Sequence, residues 1–225
     1  EILKKGLQGN DALLANYFRP ATSCDWFKHD PRTFDPKRKP NVSIIFTSKG
    51  CVVRCTFCQR PTKGYRALGI SLLEANLRET IDKYDIGFVF LSDEAFGQDR
   101  KQAYEFAALM RKLDLLWGAG GVRCNSITRD DIKFYADNNC VALKFGVESG
   151  SQKMLDVMEK KFEVRDVEQA LKWCAEFKLY SPLAMLLGMP GETDETIVET
   201  SKFIAKLCYD IGKEPFTIFG VDMSY

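Results

Sequence analysis

The residues best equipped for chemistry in this chain are three cysteines crowded into one short stretch, Cys51-Val52-Val53-Arg54-Cys55-Thr56-Phe57-Cys58. Their spacing, Cys-x3-Cys-x2-Cys, suits convergence on one metal centre better than disulfide formation. A cubane iron–sulfur cluster has four irons and ordinarily takes four thiolates. Three thiolates would hold three irons and leave the fourth open to another ligand. Two other readings stand beside this one. A zinc ion needs a fourth ligand, which Cys24 or His29 could supply. A free cysteine is also often just a small core residue.

The elements that must position these thiols can be read from the hydrophobic pattern. Val42-Ser43-Ile44-Ile45-Phe46-Thr47 is a β-branched and aromatic run that reads as a strand, so the cysteines occupy the loop at its C-terminal end. Strand and helix then alternate. Ser71-Leu72-Leu73-Glu74 reads as a capping box opening an amphipathic helix to Tyr84. Further strands are expected at Phe88–Leu91, Leu115–Gly120 (weakened by its glycines), Val141–Val147, Leu183–Leu187 and Phe216–Val221. Helices are expected at Arg100–Leu113, from a Thr128–Asp131 cap, at Ser151–Glu159, at Val164–Phe177 and at Thr193–Leu207. Six strands alternating with helices imply an α/β fold on a parallel sheet. The pattern alone does not separate a doubly wound sheet from a barrel. Residues 1–40 read as a linker or connector, with a short helix at Asp11–Phe18, four prolines and a solvated basic run at Lys37-Arg38-Lys39.

The cysteine motif with an aromatic residue before its last cysteine, placed after a first strand, resembles the radical S-adenosylmethionine (radical SAM) superfamily. The flanking Thr47-Ser48-Lys49-Gly50-Cys51 and Arg54-Cys55-Thr56-Phe57-Cys58 are similar to the branch whose members often carry an N-terminal cobalamin-binding domain. That resemblance implies an open six-unit (β/α) partial TIM barrel over residues 41–225. It implies a 4Fe–4S cluster on Cys51, Cys55 and Cys58, with S-adenosylmethionine (SAM) chelated at the open iron. Reductive cleavage of SAM would give a 5′-deoxyadenosyl radical that takes a hydrogen atom from substrate.

Active sites of β/α barrels form at the C-terminal strand ends, and polar or glycine-rich segments follow the apolar runs there. After the second strand come Ser92, Asp93 and Glu94, whose adjacent carboxylates are costly to bury unless bonded. The resemblance assigns them to the amino group of SAM, which needs hydrogen-bond acceptors; capping of a helix is the simpler role. Arg123 follows the third strand and could grip the SAM carboxylate in a bidentate way, or form a surface ion pair. Its neighbour Cys124 reads as a packing residue. Glu148 and Ser149 follow the fourth strand, where the family meets the ribose hydroxyls, and the serines there also suit a helix cap. Gly188 and Pro190 follow the fifth, where the family contacts adenine through main-chain atoms; Glu192 and Thr193 read as caps. Phe57 is expected near the adenine.

The 32 basic and 31 acidic side chains nearly cancel, giving no general attraction to nucleic acid or to an anionic membrane. No apolar run approaches the length of a membrane span, and no secretory signal is visible. Eight cysteines without paired spacing point to a reducing compartment, the cytoplasm, and an exposed cluster demands low oxygen. The first residue is Glu1, as expected of a piece of a longer protein. The expected partners are a small-molecule or natural-product substrate and an external electron donor such as flavodoxin or ferredoxin. An upstream cobalamin-binding domain would favour cobalamin-assisted methyl transfer to an unactivated carbon. Oxidation, ring closure or rearrangement in the same branch is the alternative, and a zinc-stabilised binding module the remote one.

Overall fold

The computed structural model describes residues 19–59 and 64–211. Its main sheet has six strands: β1 (Arg19–Pro20), β2 (Asn41–Ile45), β5 (Ile86–Leu91), β6 (Leu116–Val122), β7 (Cys140–Glu148) and β8 (Leu183–Met185), in that spatial order. β1 is antiparallel to β2, and the other neighbours are all parallel. The sheet curls into a half-barrel, the open partial (β/α) barrel. A second, two-stranded sheet pairs β3 (Ser48–Lys49) with β4 (Arg66–Ala67).

Helices α1 (Ile70–Lys83), α2 (Arg100–Lys112), α3 (Arg129–Asp137), α4 (Gln152–Val157), α5 (Val164–Glu176) and α6 (Asp194–Ile211) connect or follow the strands. Their apolar stripes pack on one face of the sheet. Leu73 and Leu77 of α1, Phe106 and Met110 of α2 and Ile132 of α3 share a single core with Val89, Trp117, Leu143 and Phe145 of the strands. The expected sixth parallel strand at 216–221 and the helix at 11–18 lie outside the described residues.

Two local expectations differ from the structure. α1 begins one residue before Ser71, with Gly69 at its N-cap and no side-chain cap. Glu74 cannot reach back to close a capping box, because its carboxylate is engaged by Arg78 and Lys112. Ser151 stands at the N-cap of α4 without a side-chain cap bond, its hydroxyl donating to Glu199 instead. The Thr128–Asp131 capping box does form, and it starts α3.

The opposite, concave face of the sheet is met by residues 19–36. Ala21 and Phe27 are fully buried there against Val42, Phe88, Leu116 and Ala142. Sealing one such phenylalanine contributes about 1.5–3 kcal/mol. Trp26 packs against Phe90 with tilted rings at 4.3 Å, and exposed His29 stacks on Tyr180 at the same centroid distance. Of the basic run, Arg38 donates to the Asp114 carbonyl and Lys39 to the Ile81 carbonyl at 3.1 Å, which ties this segment to the strand bottoms.

Candidate active site

The cysteine loop leaves β2 and is closed at its base. β3 and β4 pair directly, and Leu68 donates to the Thr47 carbonyl at 2.8 Å. Gln102 at the start of α2 reaches the same base: its side-chain amide donates to the carbonyls of Thr47 at 2.6 Å and Leu68 at 3.3 Å. The foot of the loop also rests on Asp93, which is 5% exposed. Asp93 Oδ1 accepts from the backbone N–H groups of Thr47 at 2.8 Å and Ser48 at 3.3 Å, and Oδ2 accepts from both their hydroxyls. Four donors satisfy a buried carboxylate whose desolvation is otherwise costly.

The rest of the loop is held from both sides. Gly50, at a positive φ of 86°, donates to Glu94 Oε1 at 3.2 Å, and Val52 donates to the Gln98 side chain at 3.4 Å. Across the sheet end, Thr56 donates to the Met158 carbonyl at 3.1 Å, just beyond α4. Cys51 is half-buried, Cys55 buried and Cys58 exposed, and all three are free thiols.

Among the described residues, no three His, Cys, Asp or Glu side chains converge as they would around a single ion. The donor set, three unpaired thiols on one tethered loop, fits a cubane, where each thiolate takes a different iron.

The remaining candidates have distinct local roles. Exposed Ser92 follows β5 and donates its backbone N–H to the Ile45 carbonyl at 3.0 Å. Glu148 ends β7 at a φ of +72°, a left-handed conformation that side chains with a Cβ rarely adopt. This twist lies beside a register shift against β8 and accompanies the inward turn of its carboxylate. There Oε1 meets the buried ammonium of Lys160 at 3.2 Å. Burial raises the Glu148 pKa, and the charges of Lys160 and Lys144 oppose that rise. Ser149 is buried and turned toward α6, with its hydroxyl 3.0 Å from that of Thr200.

Arg123 donates to the Lys160 carbonyl and lies over the Phe162 ring at 5.5 Å, so its partner is a carbonyl and not the carboxylate of a surface ion pair. Cys124 packs in the core, and burial pushes its thiol up to about 12. Half-buried Phe57 sits under the Lys160 ammonium at 5.5 Å. The backbone of Gly188 donates to Glu192 at 2.6 Å, so Glu192 closes the β8 loop; Pro190 is exposed on that loop.

Sequence reasoning missed Lys160 and Gln102. Both sit inside helical or post-helical stretches whose neighbours are charged and solvated, so neither stands out by type or spacing. Lys160 is 5% exposed and touches Glu148, Phe57 and Phe162. The available signal was a lysine shortly after the apolar Met154, Leu155 and Met158, at the end of a short helix.

Residues 45–204 match the radical SAM superfamily. An uncharacterized methyltransferase of Pyrococcus horikoshii is 29% identical over 180 residues, which is 78% of this chain and 39% of that protein. An anaerobic magnesium-protoporphyrin IX monomethyl ester cyclase of Cereibacter sphaeroides is 28% identical over 71% of this chain and 27% of its own length. The chain thus spans well under half of these curated relatives. Among solved structures, the radical SAM methyltransferase TsrM of Kitasatospora setae, with cobalamin and a 4Fe–4S cluster bound, matches with a TM-score of 0.65 at 20% identity, over 74% of this chain and 32% of that one. No helix among the described residues is long and apolar enough to cross a membrane. With the family matched over most of its length and the three thiols presented at the strand ends, the chain belongs to the radical SAM superfamily.

Proposed function

We propose that this chain is the catalytic core of a cobalamin-assisted radical SAM methyltransferase acting on an unactivated carbon of a small-molecule or natural-product substrate. The observation that carries the reading is the tethered loop of three free thiols at the mouth of a half-barrel. The methyltransferase relatives, one of them with cobalamin bound, supply the reaction class. On this reading Cys51, Cys55 and Cys58 hold a 4Fe–4S cluster, and the cluster with SAM supplies a primary carbon radical when reduced by an external donor such as flavodoxin or ferredoxin.

The chain's own residues orient and shield. Asp93, Gln102 and Glu94 fix the loop that carries the thiols. Glu148 presents a carboxylate to the ribose hydroxyls, Ser92 and Glu94 offer acceptors to the amino group, and Arg123, which donates to the Lys160 carbonyl, would serve the carboxylate end. Ser149 stiffens the turn behind Glu148, Phe57 and the Gly188–Pro190 loop flank the adenine, and the aromatic lining of the concave face excludes water. Residues 1–40 would lead to an upstream cobalamin domain. The thiol-rich, disulfide-free composition suits the cytoplasm.

The test is anaerobic reconstitution with iron and sulfide. The expected result is about four irons per chain with no zinc, and dithionite-dependent formation of 5′-deoxyadenosine from SAM. A fully loaded protein that forms none would overturn the radical SAM reading. In the full-length protein, S-adenosylhomocysteine as a coproduct supports methyl transfer. The cyclase relative favours a second reading, oxidation, ring closure or rearrangement, for which 5′-deoxyadenosine would appear without S-adenosylhomocysteine.

A further inference from the structure

The concave face holds a cavity of about 280 Å3 lined by Trp26, Phe90, Gly120, Gly121, Lys144 and Gly146. It lies between the N-terminal segment and the strands, and it borders Ser92 and Asp93 at the end of β5. Its wall is aromatic, since Trp26 and Phe90 pack with tilted rings 4.3 Å apart. Gly120 contributes no side chain to this wall, whereas the space in front of Gly146 is taken by the Glu148 carboxylate, which a Cβ there would meet at 2.8 Å. One charged group stands there, Lys144, whose charge acts on Glu148 without forming a salt bridge to it among the described residues. Lys144 lies in the middle of β7, is half-buried, and forms no ion pair among the described residues. Its ammonium lies 5.8 Å from the Trp26 ring, at the outer limit of a useful cation–π contact.

The two carboxylates nearest in the fold are committed elsewhere. Asp93 also lines the cavity, but both its oxygens are taken by Thr47 and Ser48. Glu148 is paired with Lys160. A lysine directed into a partly dry, aromatic-walled space without its own anion is arranged to receive one from a ligand.

We propose that this cavity is the substrate subsite and that Lys144 binds a carboxylate on a substrate whose flat or apolar body lies against Trp26 and Phe90. A single lysine balances the single charge of a carboxylate. A phosphate carries more charge and draws several donors or a guanidinium fork; beside Lys144 the side chains of the cavity offer only the Ser92 hydroxyl as a further donor and no guanidinium. This inference rests on the radical SAM reading only for the identity of the ligand as substrate. The two fail separately, because binding to the cavity is measured without turnover.

The test is ligand titration of the cluster-reconstituted chain by saturation-transfer NMR. The probes are 2-naphthoate, the uncharged 2-naphthamide and 2-naphthyl phosphate. The expected order places naphthoate tightest. Lys144→Met should weaken naphthoate by about tenfold or more, the loss of one charge-assisted hydrogen bond, and leave naphthamide unchanged. That unchanged amide also shows that the variant is folded, and Lys144→Arg should restore naphthoate. Equal binding of naphthoate and naphthamide, tighter binding of the phosphate, or indifference of naphthoate to Lys144→Met overturns the proposal. SAM has a carboxylate of its own, so the naphthoate titration is repeated in saturating SAM. Undiminished binding supports a substrate subsite; competitive displacement assigns Lys144 to SAM and overturns it.

Discussion

Lys160 Nζ lies 3.2 Å from Glu148 Oε1, and the two side chains are only 6% and 10% exposed. The pair joins the end of β7 to the residues after α4, and through the Phe57 ring it reaches the cysteine loop. Removing one partner of such a pair strands a buried charge. Burial already lifts the Glu148 pKa, and Lys160 only partly holds it down. A carboxyl raised by folding binds its proton more tightly in the folded chain than in the unfolded one. Stability therefore falls as pH rises through the window between the unfolded and the raised folded pKa. Lys160→Met raises the folded value further and widens that window. The expected loss is small at about pH 5, where the carboxyl can keep its proton, and grows to about 3–5 kcal/mol at about pH 8. Denaturant titrations of both proteins at the two pH values check this. A loss independent of pH would mean that Lys160 contributes by packing alone.

Asp93 separates two roles. As an acceptor for the SAM amino group, its loss would weaken SAM and leave the cluster intact. Its four contacts with Thr47 and Ser48 instead make it the footing of the cysteine loop. Asp93→Ala leaves two N–H groups and two hydroxyls of that footing without their acceptor, at about 1–3 kcal/mol for each group that stays buried and unmet. The expected outcome is a drop in iron bound per chain after reconstitution, together with a lower melting temperature. Full iron content with weakened SAM binding would return Asp93 to the ligand role.

The parts of this molecule legible in its sequence are those set by periodicity and by local chemistry. The strands at Phe88–Leu91 and Val141–Val147 are buried apolar runs, and the structure places them in β5 and β7. The Thr128–Asp131 cap needs only its own four residues, and it forms. Long-range pairing was not legible. Ser71 and Glu74 carry the letters of a capping box, yet Lys112, far along the chain, and Arg78 claim the glutamate. Lys160 reads as a surface lysine between Glu159 and Lys161, and only the turn after α4 buries it under Phe57. Residues 19–40 read as a connector because prolines dominate them, whereas Phe27 and Ala21 are committed to the concave face. The glycines that weakened the third strand serve close packing in β6: a Cβ on Gly118 would come 3.2 Å from Ala142 on the neighbouring strand.

Gly121 gives a sharp test of how closely β6 and the end of β5 fit. Its φ is +67°, and a Cβ placed on it would sit 2.3 Å from the Asp93 carbonyl oxygen and 3.0 Å from the Glu94 backbone. Those contacts are with backbone, which cannot swing aside as a side chain does. Gly121→Ala therefore combines a disfavoured conformation with overpacking, at about 1–3 kcal/mol for the overpacking alone. The segment pushed away is the one that holds the cysteine loop. Thermal unfolding should show destabilisation, and iron retention should fall with it. Gly64→Ala provides the contrast: its φ is also positive, +76°, but no described residue lies within 4 Å of the new Cβ. Equal losses in the two variants would show that backbone conformation, and not the contact with Asp93, sets the cost.

The thiols themselves divide by environment. Cys124, Cys140 and Cys174 are buried in the core, and burial raises the pKa of Cys124 to about 12 and that of Cys140 well above its ordinary value. A thiol held protonated and out of solvent is a poor nucleophile. Iodoacetamide added to the cluster-free chain at about pH 8, close to an ordinary thiol pKa, should label exposed Cys58 first and half-buried Cys51 next, leaving those three unlabelled until the chain unfolds. Reconstitution should then protect Cys51, Cys55 and Cys58 as a set, because a shared cluster holds all three or none firmly. Cys55→Ala should accordingly abolish the visible absorbance and the bound iron. Cys174→Ala should keep both, since it removes one sulfur from the core and touches no cluster ligand. Peptide mass spectrometry and iron analysis read both experiments. Unchanged iron in Cys55→Ala would sink the assignment of the triplet as the cluster's ligand set.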